Sequence, residues 1–453
     1  MDIFIKDKSF YKRAIGLAIP ITLQKVLTSL LSIVDTFVIG YIGEKALAAV
    51  TLANIPLNVV QMFLFGAQSG TSILISQYYG KRDFESVNKV LGVALWTVFV
   101  VTFAFSIIFI FFPIQFLSLF SNDIEIVELT VNYARLCSFA YVMNALSLVY
   151  ISALSAMEQI KVGTYVLTTS MIIKIVLSML FILVFDLGIV GAGLATIISR
   201  IIELSMCLYH MFKNNYFEFE IPIILSPGGE MVVKYFKSAG TVMINETIWG
   251  SGISAITNVL SHMENSAYIL SAYSVASTTQ SIITSLSAGF SNTTAIMVGI
   301  AVGADKSKDE IKKTAYTLIT LSLLVGSSFG LLLFIINALF GYSFIYPMFN
   351  LSEVSSNYCN TMTIINSILL PFRTFNNCIV VGVLRGAGDV KLAALIDVLP
   401  LWLGAVPYAY ITGLFLKCSI GVVFLAYLVQ YIIQSIFGIG RMLKGDWIKN
   451  LTN

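Results

Sequence analysis

The sequence predicts an all-α membrane protein with 12 transmembrane helices in two parallel six-helix repeats. Three observations support this class. First, 57% of the 453 residues are hydrophobic and only 11% are charged, whereas a soluble protein carries about 25% charged residues. Second, twelve apolar stretches are long enough to span a bilayer, and third, the second half of the chain repeats the pattern of the first. The net charge of +3 is too small to indicate a nucleic-acid partner.

A transmembrane helix needs about 20 mostly apolar residues, because it must cross about 30 Å of hydrocarbon. The stretches that meet this length are, in chain order, 14–40, 46–79, 89–112, 124–151, 160–184, 188–212, 231–259, 266–300, 313–340, 353–384, 392–415 and 418–442. Several exceed the minimum, which predicts tilted helices or helices that extend beyond the bilayer.

Lysine and arginine residues lie mainly on one side of the predicted spans. Twenty of them fall in the two termini and in the loops that follow spans two, four, six, eight and ten, whereas the opposite loops contain only Lys45 and Lys417. Because positively charged loops stay on the cytoplasmic side, both termini are predicted to be cytoplasmic. This assignment places Arg385 in the loop after the tenth span.

The two halves share charge and hydropathy, although few residues are identical. LSAMEQIKVG, from Leu154, aligns with LRGAGDVKLA, from Leu384, and this offset of 230 continues without a gap for about 58 residues. GKRDFESVNK likewise parallels GADKSKDEIKK at an offset near 223. The most polar and Pro/Gly-rich join lies at 213–231. We therefore expect an N-lobe at 1–220 and a C-lobe at 221–453, which rock around a central cleft.

Ionisable side chains inside the predicted spans are candidates for a transport role, because a charge in hydrocarbon is costly. The acids are Asp35, Glu203, Glu246 and Asp397, and the bases are Lys25, Arg135, Lys174, Arg200 and Arg373. Arg200 and Glu203 are three residues apart on one helix and are expected to pair. Arg373 is expected to neutralise Glu246 or Asp397, since an unpaired buried charge is strongly unfavourable.

Motifs for other kinds of chemistry are missing from the sequence. It contains no G-x-x-x-x-G-K-S/T loop, so ATP is not expected to be the energy source. GAGLAT, residues 191–196, lies inside a span and favours close helix packing. Neither a soluble catalytic domain nor a repeated pore loop can be recognised. We therefore expect an ion-driven transporter that uses H⁺ or Na⁺, without enzyme activity or a cofactor.

Five segments occur in order along nearly the whole chain: IPITLQKVLTSLLSIVDTFVIGYIG, ALAAVTLANI, FGAQSGTSILISQYYGKRD, GIVGAGLATIIS and VGVLRGAGDVK. Together they resemble the multidrug and toxic compound extrusion (MATE) transporters of the multidrug/oligosaccharidyl-lipid/polysaccharide flippase superfamily, in particular the DinF-like, Gram-positive-type bacterial branch. The resemblance implies an antiporter that exports amphipathic, often cationic, organic compounds and takes up Na⁺ or H⁺. We expect a monomer in the bacterial inner (cytoplasmic) membrane.

The resemblance also implies a site in the N-lobe. Many relatives place the Asp of the first span in a cavity with three partners, and the corresponding residues here are Asp35, Lys174, Ser178 and Thr196. Thr196 matches the family, whereas Lys174 and Ser178 replace a neutral ligand and an acid. Lys174 is therefore expected to face Asp35 as a tethered cation. A purely structural ion pair between the two residues is the alternative to a transport role.

The C-lobe contains a second set of candidates. Glu246 lies where one branch of the family has a functional acid on the seventh span, and Thr374 lies where that branch has an acid on the tenth. Asp397 lies on a span that also contains Pro400 and Pro407, which are expected to bend that helix and to free carbonyl groups into a cavity. Candidate residues of the substrate cleft are Gln24, Thr374 and Asn377.

Two other functions stay open. A flippase for a lipid-linked saccharide or peptidoglycan precursor would be expected to line its cavity with several basic residues for pyrophosphate, and only Lys25, Lys174 and Arg373 qualify. A membrane scaffold without transport activity would leave the buried charges unexplained.

Overall fold

The computed structural model describes residues 4–42, 44–118, 124–213, 219–349 and 351–452, without the side chains of 32–37, 40–41, 44–48, 51, 55, 59, 125–126, 267, 282–284 and 286–287. The α-helices are α1 (Lys8–Ile42), α2 (Glu44–Lys81), α3 (Phe84–Phe111), α4 (Pro113–Leu117), α5 (Ile124–Ala156), α6 (Ile160–Met179), α7 (Gly188–Lys213), α8 (Ile221–Leu225), α9 (Gly229–Tyr235), α10 (Thr241–Ser261), α11 (Ser266–Gly303), α12 (Lys308–Phe340), α13 (Tyr346–Met348), α14 (Glu353–Asn377), α15 (Val390–Leu399), α16 (Val406–Tyr410), α17 (Ile420–Phe424) and α18 (Ala426–Lys444). π-Helical turns lie at Leu180–Val184, Phe236–Gly240, Gly341–Ile345, Cys378–Leu384, Pro400–Ala405 and Ile411–Phe415.

Each of the twelve predicted spans falls on helical structure. Within the described residues, ten helical stretches are long and apolar enough to cross a membrane, and they cover every predicted span except the seventh and the eighth. In the seventh, α10 carries the polar run Asn245, Glu246 and Thr247. In the eighth, the apolar stretch Ala288–Gly303 is shorter than a full span. The chain is therefore an all-helical, multi-pass membrane protein, as predicted.

The chain forms two compact units. The N-unit comprises Val26–Ile244, and the C-unit comprises Met1–Lys25 together with Asn245–Asn453. In the C-unit, the backbone N–H of Ile5 donates a hydrogen bond of 3.1 Å to the Thr317 hydroxyl, which ties the N-terminal segment to α12. This division differs from the predicted lobes at residues 1–25 and 221–244, and the lobe boundary at 220/221 stays a prediction.

Each unit has its own buried apolar core. In the N-unit, one cluster joins α1, α2, α5 and α7 through residues such as Val38, Val50 and Cys137. In the C-unit, a larger cluster joins α10, α11, α14 and the segments from Pro400 onward. Burial of these side chains fixes the helices that carry the polar residues described below.

Turns at the predicted repeat offsets have similar backbone geometry. Glu158 and Gly388, which are 230 residues apart, both have positive φ, at 63° and 88°. The hydrogen bonds that close the two turns measure 2.8 and 2.9 Å. Arg82 and Asp305, at the predicted offset of 223, also have positive φ, at 63° and 49°. The two halves therefore use the same turns between successive helices.

The offset increases by one residue later in the chain. Asp186 and Lys417, which are 231 residues apart, have positive φ of 50° and 49°, and each follows a π-helical turn. Before the turn at Lys417, the second half has an additional π-helical turn at Pro400–Ala405. At the corresponding place in the first half, α6 continues as a regular α-helix. A π-helical turn holds one residue more than an α-helical turn, which accounts for the change. The predicted gapless offset of 230 is therefore wrong at these turns. Pro400, one of the two prolines at which a bend is predicted, begins the additional π-helical turn.

Replacement of Gly388 by alanine is expected to destabilise the C-unit. An added Cβ would lie 2.2 Å from the Lys449 carbonyl oxygen, and the φ of 88° is unfavourable for other residues. We expect Gly388→Ala to lower the free energy of unfolding by about 1–3 kcal/mol, measured on the purified protein in detergent. The control is Gly440→Ala, because, apart from its own stretch of helix, no described residue lies within 4 Å of its added Cβ. Equal stability of Gly388→Ala and the wild type would contradict this prediction.

Candidate functional site

A buried arginine joins two carboxylates in the C-unit. The guanidinium of Arg385 donates from Nη1 to Glu246 Oε1 at 2.6 Å and from Nη2 to Asp397 Oδ2 at 3.1 Å. Glu246 lies on α10 and Asp397 on α15, while Arg385 directly follows the π-helical turn Cys378–Leu384. Arg385 is only 1% exposed. Two ion pairs thus connect three separate segments of the chain.

Asp397 is held by three donors. Besides Arg385, the Asn245 amide donates to Oδ2 at 2.9 Å, and the Gln434 amide of α18 donates to Oδ1 at 3.0 Å. Donors of this kind favour the ionised carboxylate and offset part of its desolvation. Asp397 is therefore fixed in position by the protein itself.

The group carries balanced charge. The ammonium of Lys25 interacts electrostatically with Glu246, so Lys25 and Arg385 offset Glu246 and Asp397. We call these four residues the charge-balanced set. The Glu246 side chain is 19% exposed, compared with 11% for Asp397 and 1% for Arg385. Glu246 is therefore the acid of the set that water reaches most easily.

The prediction that Arg373 neutralises Glu246 or Asp397 is wrong, because Arg385 forms both ion pairs. Arg385 is also buried, rather than exposed in a loop as predicted. Gly386, which follows Arg385, is the sequence feature that could have indicated the burial of this arginine. An added Cβ on Gly386 would lie 2.7 Å from the Ala295 carbonyl oxygen, so this turn packs tightly against α11 and leaves its arginine inside the protein.

Arg373 lies elsewhere in the C-unit. It is half-buried on α14 and lines a cavity of about 180 Å³ together with aromatic and amide side chains of α10, α11 and α18. Within the described part of the chain, Arg373 has neither a hydrogen bond nor an ion pair. The structure therefore separates this arginine from the acids with which the sequence had associated it.

The candidate N-lobe residues lie in the N-unit. Lys174 and Ser178 are buried on one stripe of α6, and the Thr196 hydroxyl donates to the Ala192 carbonyl at 2.9 Å. Asp35 lies in α1, but its side chain is outside the described residues. The pairing of Asp35 with Lys174 therefore stays a prediction.

Arg200, Glu203 and Ser170 form a polar group in the N-unit, of which the sequence predicts the Arg200–Glu203 pair. Arg200 forms an ion pair with Glu203, whose side chain is fully buried. The predicted pair is thereby confirmed. The Ser170 hydroxyl donates to the same carboxylate at 2.8 Å, a contact between α6 and α7 that the sequence did not indicate.

The candidate residues of the cleft are not all accessible. Gln24 is 8% exposed and precedes Lys25 on α1. Thr374 is fully buried, its hydroxyl donates to the Leu370 carbonyl at 2.8 Å, and it packs against Gly326 of α12. Asn377 is half-buried at the end of α14. Among the His, Cys, Asp and Glu side chains that the structure describes, no three are placed to hold a metal ion.

Comparison with known proteins places these features in a family. The MatE family model matches residues 20–180 and 242–411. Probable multidrug resistance protein YoeA of Bacillus subtilis (strain 168) is 25% identical over 436 residues, covering 93% of this chain and 91% of that protein. Multidrug and toxin extrusion protein 1 of Homo sapiens is 23% identical over 96% of this chain and 74% of its own length.

Solved structures show the same fold. The crystal structure of the eukaryotic MATE transporter AtDTX14 superposes with a TM-score of 0.86, at 18% identity and 98% coverage of both chains. The outward-facing conformation of a multidrug resistance MATE family transporter of the MOP superfamily gives a TM-score of 0.85, at 17% identity, over 98% of this chain and 99% of that one. The chain therefore belongs to the MatE family, and it is a MATE-family efflux transporter, an ion-coupled antiporter and not an enzyme.

Proposed function

We propose that the protein exports amphipathic organic compounds, mainly cationic drugs, in exchange for protons, and that Glu246 binds the coupling proton. The charge-balanced set carries this proposal. It places a partly exposed carboxylate next to a buried arginine inside the C-unit. When Glu246 takes up a proton, the charge–charge attraction to Arg385 is lost, so protonation changes the contacts between α10 and the turn at Arg385.

A proton fits this group better than Na⁺. A Na⁺ ion would lie next to the cations Lys25 and Arg385 and would be repelled by both. Hard cations also require several oxygen ligands, and Asp397 already accepts three hydrogen bonds. A proton needs one carboxylate oxygen, and the bond from Arg385 uses only Oε1 of Glu246.

We further propose an architecture and a cellular location for the protein. Twelve helices span the membrane as two parallel six-helix lobes, 1–220 and 221–453, with both termini in the cytoplasm. The protein is a monomer of the bacterial cytoplasmic membrane and belongs to the DinF-like, Gram-positive-type branch. In the N-lobe, Asp35 and Lys174 form an ion pair, which the charge swap Asp35→Lys with Lys174→Asp tests against each single change.

Transport by reconstituted protein tests the proposed function. Proteoliposomes are loaded with the ethyl ester of rhodamine B, an amphipathic organic cation, and its efflux is measured after a pH gradient or a Na⁺ gradient is imposed. We expect the pH gradient to drive efflux and the Na⁺ gradient to leave efflux at the level of protein-free liposomes. Efflux driven by Na⁺ alone would contradict proton coupling, and the absence of efflux under both gradients would contradict the proposed substrate class.

A further inference from the structure

The cavity beside Arg373 has the composition of a ligand site. It lies wholly within the C-unit and has a volume of about 180 Å³. Among the residues that line it are Trp249, Tyr273, Arg373, Tyr427, Gln430 and Tyr431. The ten lining residues comprise four aromatic side chains, two amides, two serines, one isoleucine and one cation. Pockets for drug-sized ligands measure about 300–1,000 Å³, so this cavity suits a single substituted ring rather than a whole drug.

Arg373 is a permanent cation without an anionic partner among the described residues. A guanidinium stays protonated under all physiological conditions, and its planar fork matches a carboxylate in two parallel hydrogen bonds. The acids Glu246 and Asp397 are already bound to Arg385. Arg373 acts electrostatically on Tyr427 and Tyr431, but phenol groups do not neutralise its charge. A cation within a membrane span without a counter-ion indicates a functional site.

Gln430 supplies an independent observation. Its side chain is 2% exposed, and its Oε1 atom has no hydrogen-bond partner within the part of the chain that the structure describes. Buried polar atoms in folded proteins are nearly always satisfied, so an unsatisfied acceptor at a cavity wall indicates a missing donor. Judged on the described residues, the same cavity therefore contains a cation that lacks an anion and an acceptor that lacks a donor.

We propose that this cavity, the Arg373 pocket, binds the carboxylate-bearing aromatic ring of a zwitterionic export substrate. The carboxylate pairs with the Arg373 guanidinium, the ring lies against the tyrosine and tryptophan side chains, and an N–H or O–H group on the ligand donates to Gln430. A lipid pyrophosphate fits less well, because Arg373 is the only basic residue among the described residues that line the cavity. This inference rests on the proposed export of organic cations and extends it to cations that also carry an acidic ring.

Binding of two matched dyes tests this inference. Rhodamine B carries a benzoate group beside its cationic ring system, and in its ethyl ester the carboxylate is masked. Fluorescence anisotropy is measured with the purified full-length protein in nanodiscs. We expect the acid to bind about tenfold or more tightly than the ester, because a charge-assisted bidentate pair is present only with the acid.

Variants identify the group that gives this preference. Arg373→Gln is expected to remove the preference for the acid and to leave ester binding unchanged, whereas Arg373→Lys retains part of it. Gln430→Leu is expected to weaken binding of the acid by a smaller factor. The control is Arg135→Gln, since Arg135 is exposed on α5 of the N-unit. Size-exclusion profiles and melting temperatures confirm that each variant is folded.

The outcomes separate this inference from the proposed function. Equal binding of acid and ester to the wild type would overturn the inference, and so would equal loss of both dyes in a folded Arg373→Gln variant. Neither result affects gradient-driven efflux of the ester, which tests the proposed function by itself. Conversely, a preference for the acid that depends on Arg373 would stand even if the ester were not transported.

Discussion

Arg385→Gln is expected to be the most destabilising single change in the C-unit. It removes both ion pairs and leaves the carboxylates of Glu246 and Asp397 without their buried partner. Removal of one partner from a buried charge pair costs about 3–5 kcal/mol, because a charge remains in a low-dielectric environment. We expect a correspondingly lower free energy of unfolding in detergent and a low yield of folded protein.

The matched control for this prediction is Arg373→Gln. It makes the same chemical change in the same unit, at an arginine without an ion pair among the described residues, so little loss of stability is expected. The double variant Arg385→Gln with Glu246→Gln should recover part of the loss, because it neutralises one stranded carboxylate. Similar stability of the two single arginine variants would show that the ion pairs of Arg385 contribute nothing.

Glu246→Gln is expected to abolish efflux driven by a proton gradient while the protein remains folded. Glutamine has almost the same shape, and its amide oxygen can still accept the hydrogen bond from Arg385. It cannot take up and release a proton at physiological pH, so the coupling step is lost. We expect efflux of the rhodamine B ester to fall to the level of protein-free liposomes, with equal amounts of inserted protein.

Glu264→Gln provides the control acid for this experiment. The hydrogen bond from Lys417 and its charge lower the pKa of the exposed Glu264 carboxyl, which lies between α10 and α11. This acid stays ionised through the physiological range, so we expect its replacement to leave efflux unchanged. Retention of gradient-driven efflux by Glu246→Gln would rule out an essential role of Glu246 in coupling.

Features that depend on local sequence could be predicted. The spans follow from the length of apolar stretches, and the Arg200–Glu203 pair follows from the three-residue spacing on one helix. The correspondence between the segments that contain Glu158 and Gly388 follows from a charge pattern that both halves share. In each case the interacting residues are close in sequence or belong to a regular element.

Features that depend on the path of the chain between helices could not be predicted. Arg385 meets Asp397, twelve positions away, because a tight turn and a π-helical segment bring the end of one span against the next. The sequence alone placed Arg385 in solvent and gave its role to Arg373. An arginine at the edge of an apolar stretch has the same local pattern whether it faces water or a buried acid.

The additional π-helical turn at Pro400–Ala405 changes which faces of the two halves correspond. Each residue advances an α-helix by about 100°, so after this turn equal positions at the fixed offset of 230 lie on different sides of their helices. A residue role transferred from one half to the other across this point would fall on the wrong face. Halves that share the same turns can thus present different side chains inward, and one fold can hold two chemically distinct interiors.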